Sequence, residues 1–161
     1  MRQILLIVIL AFFLFLIEWL LFDLIGRWCV PNLLLLLVIF MTLYSGIRYG
    51  LVAAFTAGFV RDSFAVVPAG SYLLSFVLCA FATVFLKKYI YHAGSRSSRV
   101  LLVFIVSLIH LTALLFLNLR VVSVSLGEVF NHIVISEIVM TLFVTHFTFY
   151  HLKACVSKFY V

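Results

Sequence analysis

The chain is a succession of apolar runs, each close to the length that crosses a bilayer as a helix, separated by short polar or basic breaks. They are Ile4 to Phe22, Asn32 to Tyr44, Gly46 to Asp62, Ser71 to Tyr91, Val100 to Leu119 and His132 to Leu152. A hydrocarbon core about 30 Å thick takes about 20 helical residues per crossing. With 67% hydrophobic and only 10% charged residues and a mean hydropathy of +1.35, these runs cannot close around one soluble core without leaving an apolar exterior. The solvent for that exterior is lipid. The expected fold is an all-α integral membrane protein, a six-helix transmembrane bundle that makes residues 1–161 a single transmembrane domain.

Punctuation supports this division. Pro31 opens the second run and Ser45-Gly46 breaks it, whereas a single helix from Asn32 to Val60 would be about 43 Å long and would place Arg48 in hydrocarbon. VVPAGS, with proline and glycine close together, is a turn signal before the fourth run. The first run follows a basic residue as a signal peptide would, but it is too long and ends in EWLLF rather than small residues, so it reads as a span. RVVSVSLGEVFN, between the fifth and sixth runs, is a connection with room for a short interfacial helix.

Nothing in this layout leaves a soluble catalytic or nucleic-acid-binding domain, so the net charge of +6 is read by position. Of the 11 Lys and Arg residues, one side of a six-span layout holds Arg2, Arg48, Lys87, Lys88, Arg96, Arg99, Lys153 and Lys158, and the other holds Arg27, Arg61 and Arg120. The positive-inside rule makes the richer side cytoplasmic, with both termini there. All five acids, Glu18, Asp23, Asp62, Glu128 and Glu137, then fall in the outer half or the outer loops. Trp19 and Trp28 fall at the outer interface, and every tyrosine except Tyr72 falls near the inner one. A five-span layout with an external N-terminus also leaves a positive-inside excess but buries Arg48, and six is the preferred number. Lys87, Lys88, Arg96 and Arg99 form a cytoplasmic basic loop that fixes orientation, touches anionic lipid, or contacts a cytoplasmic partner.

Cys29, Cys79 and Cys155 are scattered, odd in number and without CxxC spacing, which points to apolar fillers rather than a disulfide framework or a metal site. In the third run Gly46, Gly50, Ala54 and Gly58 recur every four residues, and the next step of the series is Asp62. Small residues four apart let helix backbones meet closely in lipid, where water exclusion gives no drive. The partner of this ladder is a helix of the same chain or of another protein. At its outer end stand Arg61 and Asp62, about 100° apart around the helix, so each finds its own partner. On one reading Asp62 caps the following turn and Arg61 snorkels to the headgroups. On the other, Arg61 joins a polar cluster with Glu18 and Glu137, carboxylates about one turn into the first and sixth spans that are costly unless paired or protonated.

The order of these elements resembles a family. VPNLLLLLVIF, a Tyr-Ser-Gly turn, GLVAAFTAGFVRDSF and PAGSYLLSFVL resemble the central signature of MreD, the rod shape-determining membrane proteins, in which a proline-led helix precedes a Gly-rich helix ending GxxxD and a Gly-led helix. Gly50, Gly58, Asp62, Pro68 and Gly70 are the matching positions, and the likeness covers Pro31 to Phe81. Many members carry a second glycine inside the GxxxD segment where this chain has Phe59, Val60 and Arg61. The resemblance implies a non-enzymatic role in the cell-elongation machinery of rod-shaped bacteria. Its partners would be a bitopic MreC-like protein, an MreB-like filament, and a RodA-like glycosyltransferase with its transpeptidase; neither cofactor nor nucleic acid is implied.

The residues alone agree on chemistry. The sequence holds no GxSG, no HExxH and no aspartate pair spaced for metal-assisted phosphoryl transfer. His110, with Ser107 and Thr112 close by, reads as a neutral histidine bonded between helices rather than as a catalytic base, and His146 and His151 are misspaced for two ligands on one face. The competing class is a small-molecule carrier, because the six-helix architecture of the MreD family resembles that of the S components of energy-coupling-factor vitamin transporters. S components carry a small-residue stripe on their first helix, where this chain has a lone Ala11, and line an outer cavity with polar side chains, where this chain offers Trp19, Trp28, Tyr72 and a few charges.

Overall fold

The computed structural model describes residues 2–25, 30–65, 68–89, 96–118 and 135–157. They form six helices: α1 Arg2–Ile25, α2 Leu33–Tyr44, α3 Ile47–Phe64, α4 Ser71–Tyr89, α5 Arg96–Asn118 and α6 Ile135–Ser157. No strand occurs among the described residues. Three stretches, Gln3–Leu24, Ser71–Tyr89 and Ser97–Leu117, are long and apolar enough to cross a membrane, and α2 is a shorter apolar helix. The protein is therefore all-helical in these regions and compatible with life in a bilayer.

Its centre is α2. All residues from Leu33 to Leu43 are buried, so the helix shows no outward face. A helix apolar all round is a core helix, and α2 packs against every other helix described here. Its 12 residues rise about 18 Å, well short of a bilayer's hydrocarbon core. Its first end, at Pro31 and Asn32, is buried inside the bundle, where backbone polar groups cannot rely on water, whereas Tyr44 at its other end is exposed.

Glycines set the spacing around it. A Cβ on Gly50 would stand 2.1 Å from Thr42 Oγ1, and a Cβ on Gly58 would stand 2.5 Å from Leu73 Cα. The ladder thus packs within the chain: its Gly50 end lies on α2 and its Gly58 end on α4, with Ala53, Ala54 and Ala57 buried between. Gly46 is not part of the helical stripe. It precedes α3 with φ +90°, a left-handed conformation that suits glycine, and nothing lies within 4 Å of where its Cβ would be.

Element ends differ from the sequence expectation for identifiable reasons. The third helix starts one residue later, because Gly46 turns the chain, and runs to Phe64, past Asp62, whose carboxylate serves the next helix instead of ending its own. The fifth begins at Arg96, so the polar residues before the apolar run form its first turn. The expected basic loop is accordingly two helix ends: Lys87 and Lys88 lie in the last turn of α4, while Arg96 and Arg99 open α5. The connection expected to carry an interfacial helix, along with Arg27, Trp28, Cys29, Arg120 and Glu128, lies outside the described residues.

Candidate functional site

Among the described residues the acids gather at one end of the bundle, with Arg61 among them, and the other bases at the opposite end. Glu18, Asp23, Asp62 and Glu137 lie toward one end of the bundle, the acidic end, where α2 and α4 begin; Arg48, Lys87, Lys88 and Arg99 lie toward the other, the basic end. Polar contacts concentrate at the acidic end, around the first residues of α2.

Asn32 organises them. Its Oδ1 accepts from Leu35 N at 2.9 Å, which makes it the N-cap of α2. That contact fixes the amide, so Nδ2 points away from the helix with two hydrogens to give. One goes to Glu137 Oε1 of α6 at 2.9 Å, and the other to His110 Nε2 of α5 at 3.2 Å. The backbone N–H of Asn32 donates to Thr141 Oγ1 at 3.0 Å, and the Thr141 hydroxyl donates to the Glu137 carbonyl at 2.6 Å. One cap residue thereby ties α2, α5 and α6 together with each of its polar atoms engaged.

The same accounting assigns His110. Nε2 receives a hydrogen from Asn32, so the proton of the neutral ring sits on Nδ1 and goes to Ser75 Oγ at 2.7 Å. The Ser75 hydroxyl then gives its own hydrogen to the His110 carbonyl at 3.2 Å. In a nucleophile–base pair the histidine accepts from the serine, and here the polarity runs the other way. Ser75 is also fully buried, and His110 is stacked on Phe76 with ring centroids 5.0 Å apart. The Ser75–His110 contact is built as a brace between α4 and α5.

Glu18 and Arg61 form the second half of the cluster. The Arg61 guanidinium pairs with Glu18 Oε2, and Glu18 Oε1 accepts from Leu34 N at 3.0 Å. The carboxylate therefore serves both a helix start and a cation, which is how an acid that is 2% exposed is accommodated. Arg61 also lies over the Tyr72 ring, 5.4 Å from its centroid. Asp62 takes no part in this pair. Its Oδ1 and Oδ2 accept from Tyr72 N and Leu73 N, each at 3.1 Å, and so cap α4 from outside; Gly70, with φ +92°, stands before that helix and has no side chain to do so.

Of the residues singled out in the sequence, the structure joins Arg61 to Glu18 directly and turns Asp62 toward α4. Glu137 enters through Asn32 rather than through a bond to Arg61. Asn32, Thr141 and Ser75 carry the cluster yet were not singled out, although an asparagine directly before an apolar run is an N-cap signal. At the basic end, Lys87 Nζ donates to the Leu43 carbonyl at 2.6 Å, and Lys88 Nζ lies 5.9 Å from the centroid of the Tyr89 ring.

Beside Asn32 lies a narrow, partly open crevice bordered by Ser107, His110, Glu137 and Thr141 and by the apolar side chains of Leu35, Leu111 and Ile138. It has no interior space for even a water-sized molecule, whereas small-molecule pockets usually span about 300–1,000 Å³. No cluster of three or more potential metal ligands among His, Cys, Asp and Glu occurs among the described residues. These features define a protein that is all-helical among the described residues, with helices suited to a membrane and a hydrogen-bonded polar cluster at the start of its central helix. No protein-family model, characterised protein or solved structure matches the chain.

Proposed function

We propose that this chain is a non-enzymatic scaffold of the bacterial cell-elongation machinery. In this reading it is an MreD-like protein that bridges a bitopic MreC-like protein, an MreB-like filament, and a RodA-like glycosyltransferase with its transpeptidase. In this reading the six-helix bundle lies in the inner membrane with α2 as its short central helix, both termini are cytoplasmic, and the acidic end faces outward. The supporting observation is that the residues carrying the resemblance have a joint mechanical purpose. Gly58 admits the backbone of α4 at Leu73, and one turn later Asp62 caps that same helix, so the GxxxD spacing locks α3 to α4 beside the buried α2. A rigid unit whose polar groups are spent on one another suits a docking surface better than turnover. The basic end, with Lys87, Lys88, Arg96 and Arg99, is the face offered to anionic lipid and the filament.

The test is complex recovery in mild detergent with the bitopic partner, together with rescue of rod shape, for Asp62→Ala beside Asp23→Ala. Asp62→Ala is expected to lose both at equal expression, while Asp23, exposed on α1, tolerates the change. Retention by Asp62→Ala with loss by Asp23→Ala removes the α3–α4 junction from the docking surface. The S-component-like carrier is the second reading, favoured by the polar lining of the crevice and opposed by its size. Binding of a small polar solute to the purified chain decides for the carrier.

A further inference from the structure

We propose that the exposed seam between α3 and α4 at the basic end holds one anionic phospholipid, its phosphodiester between Arg48 and Lys88 and its acyl chains along Phe55, Phe81 and Val84. This rests on the reading that the bundle lies in a membrane with its basic end at anionic lipid, and on no protein partner. Among the described residues no acid stands at this end, whereas Arg48 lies in the first turn of α3, Lys87 and Lys88 in the last turn of α4 and Arg99 in the first turn of α5. Lys87 is committed to the Leu43 carbonyl, while Lys88 and Arg48 are exposed.

Helix spacing brings the two cations to one seam. Arg48, Phe55 and Asp62 stand seven apart on one face of α3, and Asp62 bonds the start of α4 directly, so this face borders α4. On α4, Leu73 meets Gly58 of α3, and Val84 and Lys88, at further steps of eleven and four, stay on the side toward α3. Their levels agree as well. Ten residues from the Gly58–Leu73 contact, about 15 Å, α3 reaches Arg48 and α4 reaches Thr83, and Lys88 stands about 7 Å further. Side chains lean toward the N-terminus of their helix, so Arg48 reaches toward the basic end and Lys88 leans back to meet it.

Charge selects the headgroup and exposure selects the tails. Two cations without a described acid at their end favour an anionic phosphodiester over a zwitterionic one. A free anion would use the cations alone, but Phe55, Phe81 and Val84 beside them are 53%, 54% and 40% exposed, apolar surface that acyl chains cover. Tyr49 and Tyr89 follow the two cations in sequence, phenols suited to the level where headgroups meet hydrocarbon. The acidic end offers no equivalent, because Arg61 is paired there with Glu18.

The experiment is native mass spectrometry of the full purified chain, released from nonionic detergent after equilibration with equimolar phosphatidylglycerol and phosphatidylcholine of the same acyl chains. No protein partner is present, so failure here is separate from failure of complex recovery. One phosphatidylglycerol per chain is expected to be retained in preference to phosphatidylcholine. Arg48→Gln and Lys88→Gln, both at exposed positions, are each expected to weaken phosphatidylglycerol binding about fivefold, the equivalent of about 1 kcal/mol per basic residue near an anionic surface, and to leave phosphatidylcholine unchanged. Arg99→Gln removes the same charge from α5, which packs on α4 as α3 does but does not border the seam, and is expected to cost less than about twofold. Equal retention of the two lipids overturns the proposal, as does a loss in Arg99→Gln equal to that in Lys88→Gln, which makes the attraction diffuse. Displacement of the lipid by inorganic phosphate or hexaglutamate at its own concentration also overturns it, and gives the cations to a free anion or to an acidic protein segment.

Discussion

The two ends of α2 meet the same physical problem and answer it differently. Each leaves backbone groups that the helix itself cannot satisfy, buried at the first turn and beside the exposed Tyr44 at the last. At the acidic end the answer is a network: Glu18 from α1, Asn32 at the cap, His110 from α5, and Glu137 and Thr141 from α6. At the basic end it is one flexible side chain, Lys87, reaching the Leu43 carbonyl, together with the tight turn at Ser45 and Gly46. A network of short side chains fixes the relative positions of many helices; a lysine on a four-carbon stem tolerates movement. The acidic end is thus the rigid end of this protein and the basic end the adaptable one.

The largest effect should come from Asn32→Leu, which removes the N-cap and leaves His110 Nε2 and one oxygen of Glu137 without their donor. Three unsatisfied groups at about 1–3 kcal/mol each set an upper bound. Helix pairs in a membrane often lose only about 0.6 kcal/mol per bond, because the unfolded chain finds partners too. The expected loss is about 2–4 kcal/mol, read as unfolding free energy in mixed micelles. A loss under about 1 kcal/mol, the scale of an ordinary cap, would reduce Asn32 to a cap and end the claim that this end is a network.

Next is the Glu18–Arg61 pair. Glu18→Gln or Arg61→Gln alone leaves a partly buried charge without its partner, at a cost of about 3–5 kcal/mol for a fully buried pair and less here because Arg61 is 25% exposed. The double variant should be more stable than the sum of the singles implies, by about 1–3 kcal/mol in a double-mutant cycle. Additive losses would mean that Glu18 acts on Leu34 N alone.

Much of the fold was legible in the chain because an apolar run of bilayer length has few alternatives. The breaks at Pro31, Gly46 and Pro68 marked helix limits to within a few residues, and the step of four from Gly50 to Asp62 pointed to close packing on α3. The central place of α2 was half legible: LLLLLVIF is apolar on every face, which marks a core helix, yet it was read as one short span among six. The cluster was harder. Asn32 lies 78 residues from His110 and 109 from Thr141, and their meeting depends on the rotation of α5 and α6 about their axes. In a soluble helix the polar face reveals that rotation. In a helix apolar toward both lipid and core, no such stripe exists, so Glu18 and Glu137 could be grouped by depth while Asn32, Ser75 and Thr141 stayed unremarked.

The glycines compare the two ends at finer scale. A methyl at Gly58 meets the Leu73 backbone, whereas at Gly50 the nearest atom is the Thr42 hydroxyl, with Thr42 Cα 3.0 Å away. Gly58→Ala should therefore cost about 1–3 kcal/mol and Gly50→Ala less, because a side chain yields more readily than a backbone. Stability of the two variants in the same micelles, with Val60→Leu as the near-neutral reference, makes the measurement. The reverse order would place the rigid contact on α2 instead of α4.

The smallest effect tests the adaptable end itself. Lys87→Met keeps an unbranched apolar stem but removes the ammonium from the Leu43 carbonyl, so it loses one charge-assisted bond and one favourable charge at a helix C-terminus. Lys88 is one residue on, about 100° around the helix, and lies near the Tyr89 ring, so it does not replace the contact. The expected cost is about 0.5–1.5 kcal/mol in unfolding free energy. Lys87→Arg should recover most of it, since only a long donor is required there and no fixed geometry is imposed. If Lys87→Arg were as costly as Lys87→Met, the basic end would demand exact placement as the acidic end does. The contrast between a hydrogen-bonded network and a single snorkelling side chain would then give way to a helix clamped equally at both ends.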